Sequence, residues 1–279
     1  MKKITILLVG LVSVLFSCEE VVDVELQDGP IRLVIEASLD WEKGTVGNDQ
    51  IIKLRTSTPY FDTQTDTSVT GASVEVINLD TNEVFVFQDQ NNGNYITDAF
   101  VPILNNTYQL TVIYNGEVYQ GTETLLLAPD INTVNQSTED GFDDENLEVN
   151  VYFDDPEDEE NYYLLKYYEE GDLLPSLEDV SDEFVNGNEI HDFYEKEDDE
   201  DSGEEAFVPG DVVEITLYAI SERYYNYIKI LNEQTDSGDP FSTTPVQIRG
   251  NCVNQTNQNN YAFGYFRVTQ YVKEVYTFE

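Results

Sequence analysis

The sequence predicts a mainly β protein of two immunoglobulin/fibronectin-like β-sandwich domains, the second with one short helix and an acidic insertion. Short runs that alternate apolar and polar residues recur along the chain at intervals of about 8–12 residues. Clusters of Gly, Asn, Asp and Pro separate these runs, and one stretch shows the spacing of an amphipathic helix. Many short strands joined by such turns are typical of a sandwich of two antiparallel sheets.

The first sandwich is predicted to span residues 31–128. Asn115-Gly116 separates its last two alternating runs, and this dipeptide favours the type I′ turn of a β-hairpin. Ala128-Pro129-Asp130 then forms a hinge to the next domain. The predicted strands of the first sandwich are 32–39, 50–57, 73–78, 84–88, 94–97, 107–114 and 117–127.

The second sandwich is predicted to span residues 129–279. An acidic insertion with weak apolar patterning occupies residues 171–209. Within it, Glu195–Glu205 is predicted to be mobile, because this run contains no apolar side chain that could pack. The predicted strands of the second sandwich are 147–153, 162–168, 211–219, 246–251, 261–268 and 271–278.

A single helix is predicted between the strands of the second domain. Ser221 is a suitable N-cap, since its hydroxyl can accept a hydrogen bond from an amide of the first turn. Tyr224, Tyr227, Ile228 and Leu231 follow at intervals of three and four residues, which places them on one face of a helix.

Residues 1–17 are predicted to be a signal peptide. Lys2 and Lys3 precede an apolar run, Ile4–Phe16. This run is shorter than the ~20 residues of a membrane-spanning helix. Its length and its positive flank are instead typical of a secretory signal.

Ser17 and Cys18 follow this run and resemble a bacterial lipobox. The resemblance implies cleavage after Ser17, lipid attachment at Cys18 and a lipidated tether over residues 18–30. Stable anchoring takes more than one acyl chain, and a lipobox cysteine carries two or three. Glu19 and Glu20 resemble the export signal of Bacteroidetes lipoproteins at the cell surface, although acids are frequent throughout the chain. We therefore expect an outer-membrane protein, anchored by its lipid and facing the extracellular side. The alternative is a plain signal peptide with an incidental cysteine.

The charge of the chain disfavours several classes of partner. It has 56 acidic and 13 basic residues, which gives a formal net charge of −43. Such a chain repels nucleic acid and anionic lipid head groups. No nucleic-acid partner is predicted.

Few residues are suited to catalysis or to metal binding. His191 is the only histidine and lies in an acidic stretch, and Cys252 is the only cysteine besides Cys18. A histidine-dependent triad or a histidine-ligated zinc site therefore has almost no residues to draw on. We predict no catalytic residue, no cofactor and no metal site.

Three other kinds of site remain as alternatives. The acids of Asp154–Glu160 and Glu195–Glu205 could bind calcium, but neither run has EF-hand spacing and a solvated loop is favoured. A carboxylate pair could hydrolyse glycosides, but no pair stands out among so many acids. Tyrosines could form a stacking platform for a glycan or peptide, although tyrosines at strand and helix spacing more often pack. The tyrosines concerned are Tyr162, Tyr163, Tyr167, Tyr168, Tyr224, Tyr225 and Tyr227.

Four segments of the C-terminal region carry a family resemblance. They are Tyr224–Ile228, Asp239-Pro240-Phe241, Arg249–Asn251 and Ala262–Phe266. In this order they resemble the Bacteroidetes lipoprotein family known as domain-of-unknown-function family 4249, and the resemblance extends from Cys18 to Val268. The chain departs from the family at Cys252-Val253, where an Ile-x-Asn-Gly turn is usual, and in the length of its acidic insertion.

The resemblance implies a partner but no reaction. Members of the family have no established activity, and their genes often lie beside TonB-dependent outer-membrane receptors. The expected function is therefore a non-enzymatic accessory to such a receptor, by capture or presentation of a substrate or by capping. The alternative is a structural or adhesive cell-surface protein with no transport partner.

Overall fold

The computed structural model describes residues 29–59, 62, 64–157, 159–198, 205–235 and 247–279. Ser17 and Cys18 lie outside these ranges. Within them the chain is mainly β, as predicted, with fifteen strands and one helix. The elements are β1 (Leu33–Glu42), β2 (Gln50–Thr56), β3 (Ser73–Asn78), β4 (Val84–Asp89), β5 (Asn94–Thr97), β6 (Thr107–Tyr114), β7 (Glu117–Thr124), β8 (Ile131–Ser137), β9 (Glu148–Asp154), β10 (Tyr162–Glu169), β11 (Ser176–Ser181), β12 (Glu189–Glu195), β13 (Val212–Ile220), α1 (Glu222–Thr235), β14 (Val253–Asn254) and β15 (Phe263–Thr277).

The first sandwich has β1, β2 and β5 on one side and β3, β4, β6, β7 and β14 on the other. Alternate residues of these strands face inward, so Ile35, Leu54 and Val76 are fully buried in a shared core. Asn115 and Gly116 have φ angles of 50° and 79°, and Tyr114 pairs with Glu117 across them. The predicted hairpin is confirmed.

The second sandwich has β11, β10, β13 and the end of β15 facing the three-stranded sheet β12-β9-β8. Its core contains the inward faces of both sheets, among them Phe153, Tyr163 and Ile215. Helix α1 lies against β10 and β11 and adds a third apolar cluster that includes Tyr224 and Ile228.

The last strand, β15, takes part in both sandwiches. It runs parallel to β1 from the pair Val34–Phe263 onward. After Tyr271 it continues antiparallel to β13. Phe266 therefore belongs to the first core and Phe278, just after the strand, to the second.

Two predictions for the C-terminal region are wrong. The predicted strands 261–268 and 271–278 are one continuous strand, because the polar residues between them keep their backbone pairing. The predicted strand 246–251 is absent from the described part of this segment, and the short β14 follows it instead. Several residues between 252 and 268 contribute to the first core. The predicted domain boundary between residues 128 and 129 stays a prediction.

The acidic region contains two strands that its weak apolar pattern did not predict. Both β11 and β12 are edge strands with one neighbour each. An edge strand exposes much of its surface, so it needs little apolar alternation. Residues 199–204 of the run predicted to be mobile lie outside the described residues. Lys196, also in this run, is buried and forms ion pairs with Glu169 and Asp172, each at 2.8 Å.

The helix prediction is confirmed. The Ser221 hydroxyl accepts a hydrogen bond from the Tyr224 amide at 3.2 Å, which is the geometry of an N-cap. Tyr224 and Ile228 are buried, and Tyr227 and Leu231 pack beside them. No helix in the described ranges is long and apolar enough to cross a bilayer.

Candidate functional site

A buried hydrogen-bond network joins β7, β15 and the segment before β14. Glu123 accepts a hydrogen bond from the Tyr265 hydroxyl at 2.8 Å and another from Asn251 Nδ2 at 2.9 Å. Asn251 also binds the backbone of Phe266, donating to its carbonyl at 2.7 Å and accepting from its amide at 2.8 Å. The network therefore fixes the segment before β14 against β15.

Glycines allow these segments to approach each other. A methyl group on Gly250 would overlap the carbonyl oxygen of Gly264 and stand 2.7 Å from the carbonyl carbon. Gly264 has a φ of 82° and lies in the same way against the backbone of Ile35. A side chain at either position would push the strands apart.

The environment of Glu123 perturbs its protonation. Burial raises the pKa of Glu123, and the hydrogen bonds from Tyr265, Ser221 and Asn251 and the charge of Arg223 oppose this rise. The pKa of Tyr265 is raised by burial and by the adjacent Glu123 carboxyl.

A small cavity lies beside this network, between the first turns of α1 and the segment 247–250. We call it the arginine pocket. Its volume is about 210 Å³, below the ~300–1,000 Å³ of pockets that hold drug-sized ligands, so it has room for one small group. It is lined by Arg223, Asn226, Tyr227, Ile230, Gln247, Ile248, Arg249, Gly250 and Tyr265.

The two arginines of this pocket lack ion-pair partners. In the described part of the chain, neither Arg223 nor Arg249 forms a salt bridge. Arg249 instead lies over the ring of Tyr261, 4.0 Å from its centroid, and Arg32 lies 3.6 Å from the same centroid. An exposed guanidinium that stacks on an aromatic ring keeps its donors free for an anion.

The tyrosines predicted as a possible platform do not form one surface. Tyr163 and Tyr167 are buried inside the second sandwich, where their hydroxyls donate to Asp155 and Asp192, each at 2.6 Å. Tyr227 alone of the seven lines the arginine pocket, where its ring lies 5.0 Å from that of Tyr265. The platform prediction is therefore wrong for the buried tyrosines, because strand alternation turns them inward.

The other sequence candidates are engaged in local structure. His191 stacks on Tyr152, with 4.5 Å between ring centroids, and its Nε2 lies 2.7 Å from Asn150 Oδ1. Asp155, from the acidic run proposed for calcium, accepts a hydrogen bond from the Gly187 amide at 2.9 Å. The described residues hold no group of three or more His, Cys, Asp or Glu that could bind a metal ion.

Some residues of this site escaped sequence reasoning. Glu123 is one of 56 acids, and nothing in its neighbourhood along the chain marks it as buried. Arg223 and Arg249 could have been noticed, since basic residues are rare in this chain. Three of the segments that carry the family resemblance meet here, since Tyr227, Arg249, Gly250, Asn251 and Tyr265 belong to them. The fourth, at Asp239-Pro240-Phe241, lies outside the described residues.

Two sandwiches that share a strand define a protein of the immunoglobulin/fibronectin-like β-sandwich class. The chain belongs to the family described as Domain of unknown function (DUF4249), whose model matches residues 19–274. A search of curated proteins finds no significant match.

Solved structures with fibronectin type III domains show weak similarity. The chain is 11% identical to a two-domain segment of chicken tenascin, covering 61% of this chain and 84% of that one, with a TM-score of 0.22. It is 12% identical to the FN1–FN3 domains of chicken CNTN1, covering 67% of this chain and 63% of that one, with a TM-score of 0.26. At these scores the fold assignment rests on the strand pairing itself.

Proposed function

We propose that this chain is a non-enzymatic outer-membrane lipoprotein that assists a TonB-dependent receptor. Cys18 carries the lipid after cleavage behind Ser17, and the mature chain faces the extracellular side. The leader and the family membership support the anchor and the partner class. The role at the receptor is to capture and present a substrate.

The arginine pocket is the observation that carries the capture role. A chain with a net charge of −43 repels anions over most of its surface. The Arg249 guanidinium, which lies over the Tyr261 ring and forms no salt bridge within the described part of the chain, is therefore a local exception. Guanidinium groups bind carboxylate and sulfate with paired hydrogen bonds, and tyrosine rings can stack on a sugar face. The captured ligand is a small acidic group, such as one acidic unit of a glycan.

The anchor and the partner are tested in cells. Labelled palmitate should enter the wild-type chain but not Cys18→Ala, and only the wild type should stay in the membrane fraction. Gentle detergent extraction should then recover a β-barrel receptor together with the wild-type chain. Equal label in both chains would refute the anchor, and the absence of a receptor in repeated extracts would favour the structural or adhesive alternative.

Ligand capture is tested by affinity electrophoresis in gels that contain polygalacturonate, dextran sulfate or neutral dextran. We expect one of the acidic polymers, but not neutral dextran, to retard the chain. Arg249→Gln should weaken this retardation by about tenfold, the loss of one charge-assisted contact. The control Lys53→Gln removes the same charge from an exposed position on β2. It should leave the retardation by the acidic polymer unchanged. Equal retardation of both variants, or none in the wild type, would refute the capture role.

A further inference from the structure

The hairpin of β4 and β5 separates soon after its turn. The two strands pair only at Gln88–Ile96 and Asp89–Tyr95. The rest of β4 pairs with β3, and β5 pairs on its other side with β2. The divergence opens a groove of about 850 Å³ on the first sandwich, which we call the β4–β5 groove.

The walls of the β4–β5 groove are unusually apolar for an exposed surface. Ile51 and Ile96, paired across β2 and β5, are each 41% exposed, and Val84 and Val86 on β4 are 49% and 52% exposed. An apolar patch of this kind on an exposed surface marks an interaction site. The groove is lined by Asp49, Gln50, Ile51, Val84, Phe85, Val86, Gln88, Gln90, Ile96, Thr97, Asp98 and Ala99.

Packed aromatic rings form the floor of the groove. Phe85 is buried and packs edge-on against Phe100, with 5.0 Å between the ring centroids. Phe100 in turn lies 5.2 Å from the ring of Tyr108. This packing preorganises the floor of the groove for an occupant.

One wall of the groove also offers free backbone groups. From Val84 to Phe87, β4 pairs with β3 on one side and, within the described ranges, with no strand on the other. Alternate amides and carbonyls of an antiparallel strand point away from its neighbour. An edge with unpaired groups of this kind is a template for another strand.

The charges at the groove select the occupant. Asp49 and Asp98 are the charged residues of its lining, and no basic residue is among them. Neither carboxylate forms a salt bridge within the described part of the chain. A segment that carries Lys or Arg would complement them, whereas a segment as acidic as this chain would be repelled.

We infer that the β4–β5 groove binds an extended segment of a partner protein by strand addition to β4. The segment alternates apolar residues, which enter between Val86 and Ile96, with a Lys or Arg placed near Asp49 or Asp98. Backbone hydrogen bonds to β4 supply affinity, and the apolar walls with the acids supply specificity. This site depends neither on the lipid nor on the arginine pocket.

Peptide selection on the full-length chain in detergent tests the inference. A displayed random library of peptides about nine residues long spans such a groove, since a strand rises ~3.3 Å per residue. We expect enriched peptides to alternate apolar residues and to carry a Lys or Arg. Val86→Lys should weaken the binding of these peptides by about tenfold or more. The matched control is Val275→Lys, on an exposed valine of β15 outside the groove, and it should bind as the wild type does.

Several results would overturn the inference. Enrichment of no sequence, or of peptides that bind Val86→Lys and wild type equally, would show that the groove is not a strand acceptor. Self-association of the wild type that is lost in Val86→Lys would make a second copy the occupant. The double variant Asp49→Asn/Asp98→Asn should weaken the binding of basic peptides at low salt. Equal binding by the double variant and the wild type would show that the two carboxylates do not select a basic segment. Receptor co-purification and Arg249→Gln binding are independent readouts, so failure here leaves the proposed function standing.

Discussion

Gly250 lies directly against the backbone of Gly264, so that a methyl group at position 250 would overlap the Gly264 carbonyl. Both glycines belong to segments that carry the family resemblance. Their contact brings the segment before β14 onto β15, where Asn251 joins the Glu123 network. The pair therefore sets the geometry of one wall of the arginine pocket.

Gly250→Ala should destabilise the chain by about 2–3 kcal/mol, the cost of forcing an extra methyl group into a packed site. Urea unfolding followed by circular dichroism measures the change. Gly44→Ala is the control, because nothing lies within 4 Å of its added methyl group and its φ is 88°. The control should cost about 1–2 kcal/mol, the price of a left-handed alanine. If Gly250→Ala costs no more than the control, the proposed close contact is wrong.

Tyr265→Phe should remove the hydrogen bond that the Tyr265 hydroxyl donates to the Glu123 carboxyl. A buried carboxyl that loses a donor costs about 1–3 kcal/mol. Because the Tyr265 hydrogen bond lowers the pKa of Glu123, its loss should raise that pKa further. The destabilisation should therefore be larger at high pH than at low pH. Tyr227→Phe is the matched control, and an equal pH-dependent loss in both variants would contradict the network.

Asp192→Asn should flatten the pH dependence of stability. Burial raises the pKa of Asp192 to about 7 from a model-peptide value of 3.8. The folded chain thus holds a proton that the unfolded chain releases, and the free energy of unfolding falls as pH rises from about 4 to about 7. The slope is at most about 1.4 kcal/mol per pH unit for this one group.

The comparison uses urea midpoints of wild type and Asp192→Asn at several values between pH 4 and pH 8. Asparagine can still accept the Tyr167 hydrogen bond, so the fold should persist. Asp144→Asn, in an exposed loop, should change stability without altering this slope. A variant that loses stability with pH as steeply as the wild type would rule out Asp192 as the titrating group.

Cys252 should be almost unreactive in the folded chain. Its thiol is buried beside Asn251, and burial raises its pKa to about 12. The thiolate is the reactive form, so iodoacetamide at pH 8 should label Cys252 at least about 100-fold more slowly in buffer than in urea. Peptide mapping reads this site separately from Cys18. The control is Ser73→Cys, whose thiol is exposed and should react quickly. Labelling of Cys252 in buffer at a rate comparable to that of this control would refute the burial of Cys252.

Local patterns predicted much of the fold. The bounds of β3, β5 and β6 agree with the predicted segments 73–78, 94–97 and 107–114. These strands alternate regularly and end at turns whose residues favour a positive φ, such as Asn115. The N-cap at Ser221 was equally visible, because it depends on residues only three positions apart.

Other features depended on neighbours that are distant in the sequence. The edge strands β11 and β12 have weak patterns because each is paired on one side only. The sequence predicts two strands, 261–268 and 271–278, in place of the single strand β15, because the two halves of β15 belong to different cores.

The sequence by itself determined the β-sandwich class, the hairpin at Asn115, the helix that begins after Ser221 and the family. It also carries the expectation of a lipid at Cys18. Only the tertiary structure decided that Glu123 is buried, that two arginines share a pocket and that β4 leaves β5 to open a groove. The physical reason is the separation along the sequence of the residues that interact. A turn or a helix cap is specified by a few adjacent residues, whereas Glu123 meets Asn251 across 128 positions, and such a contact exists only once the sheets have packed.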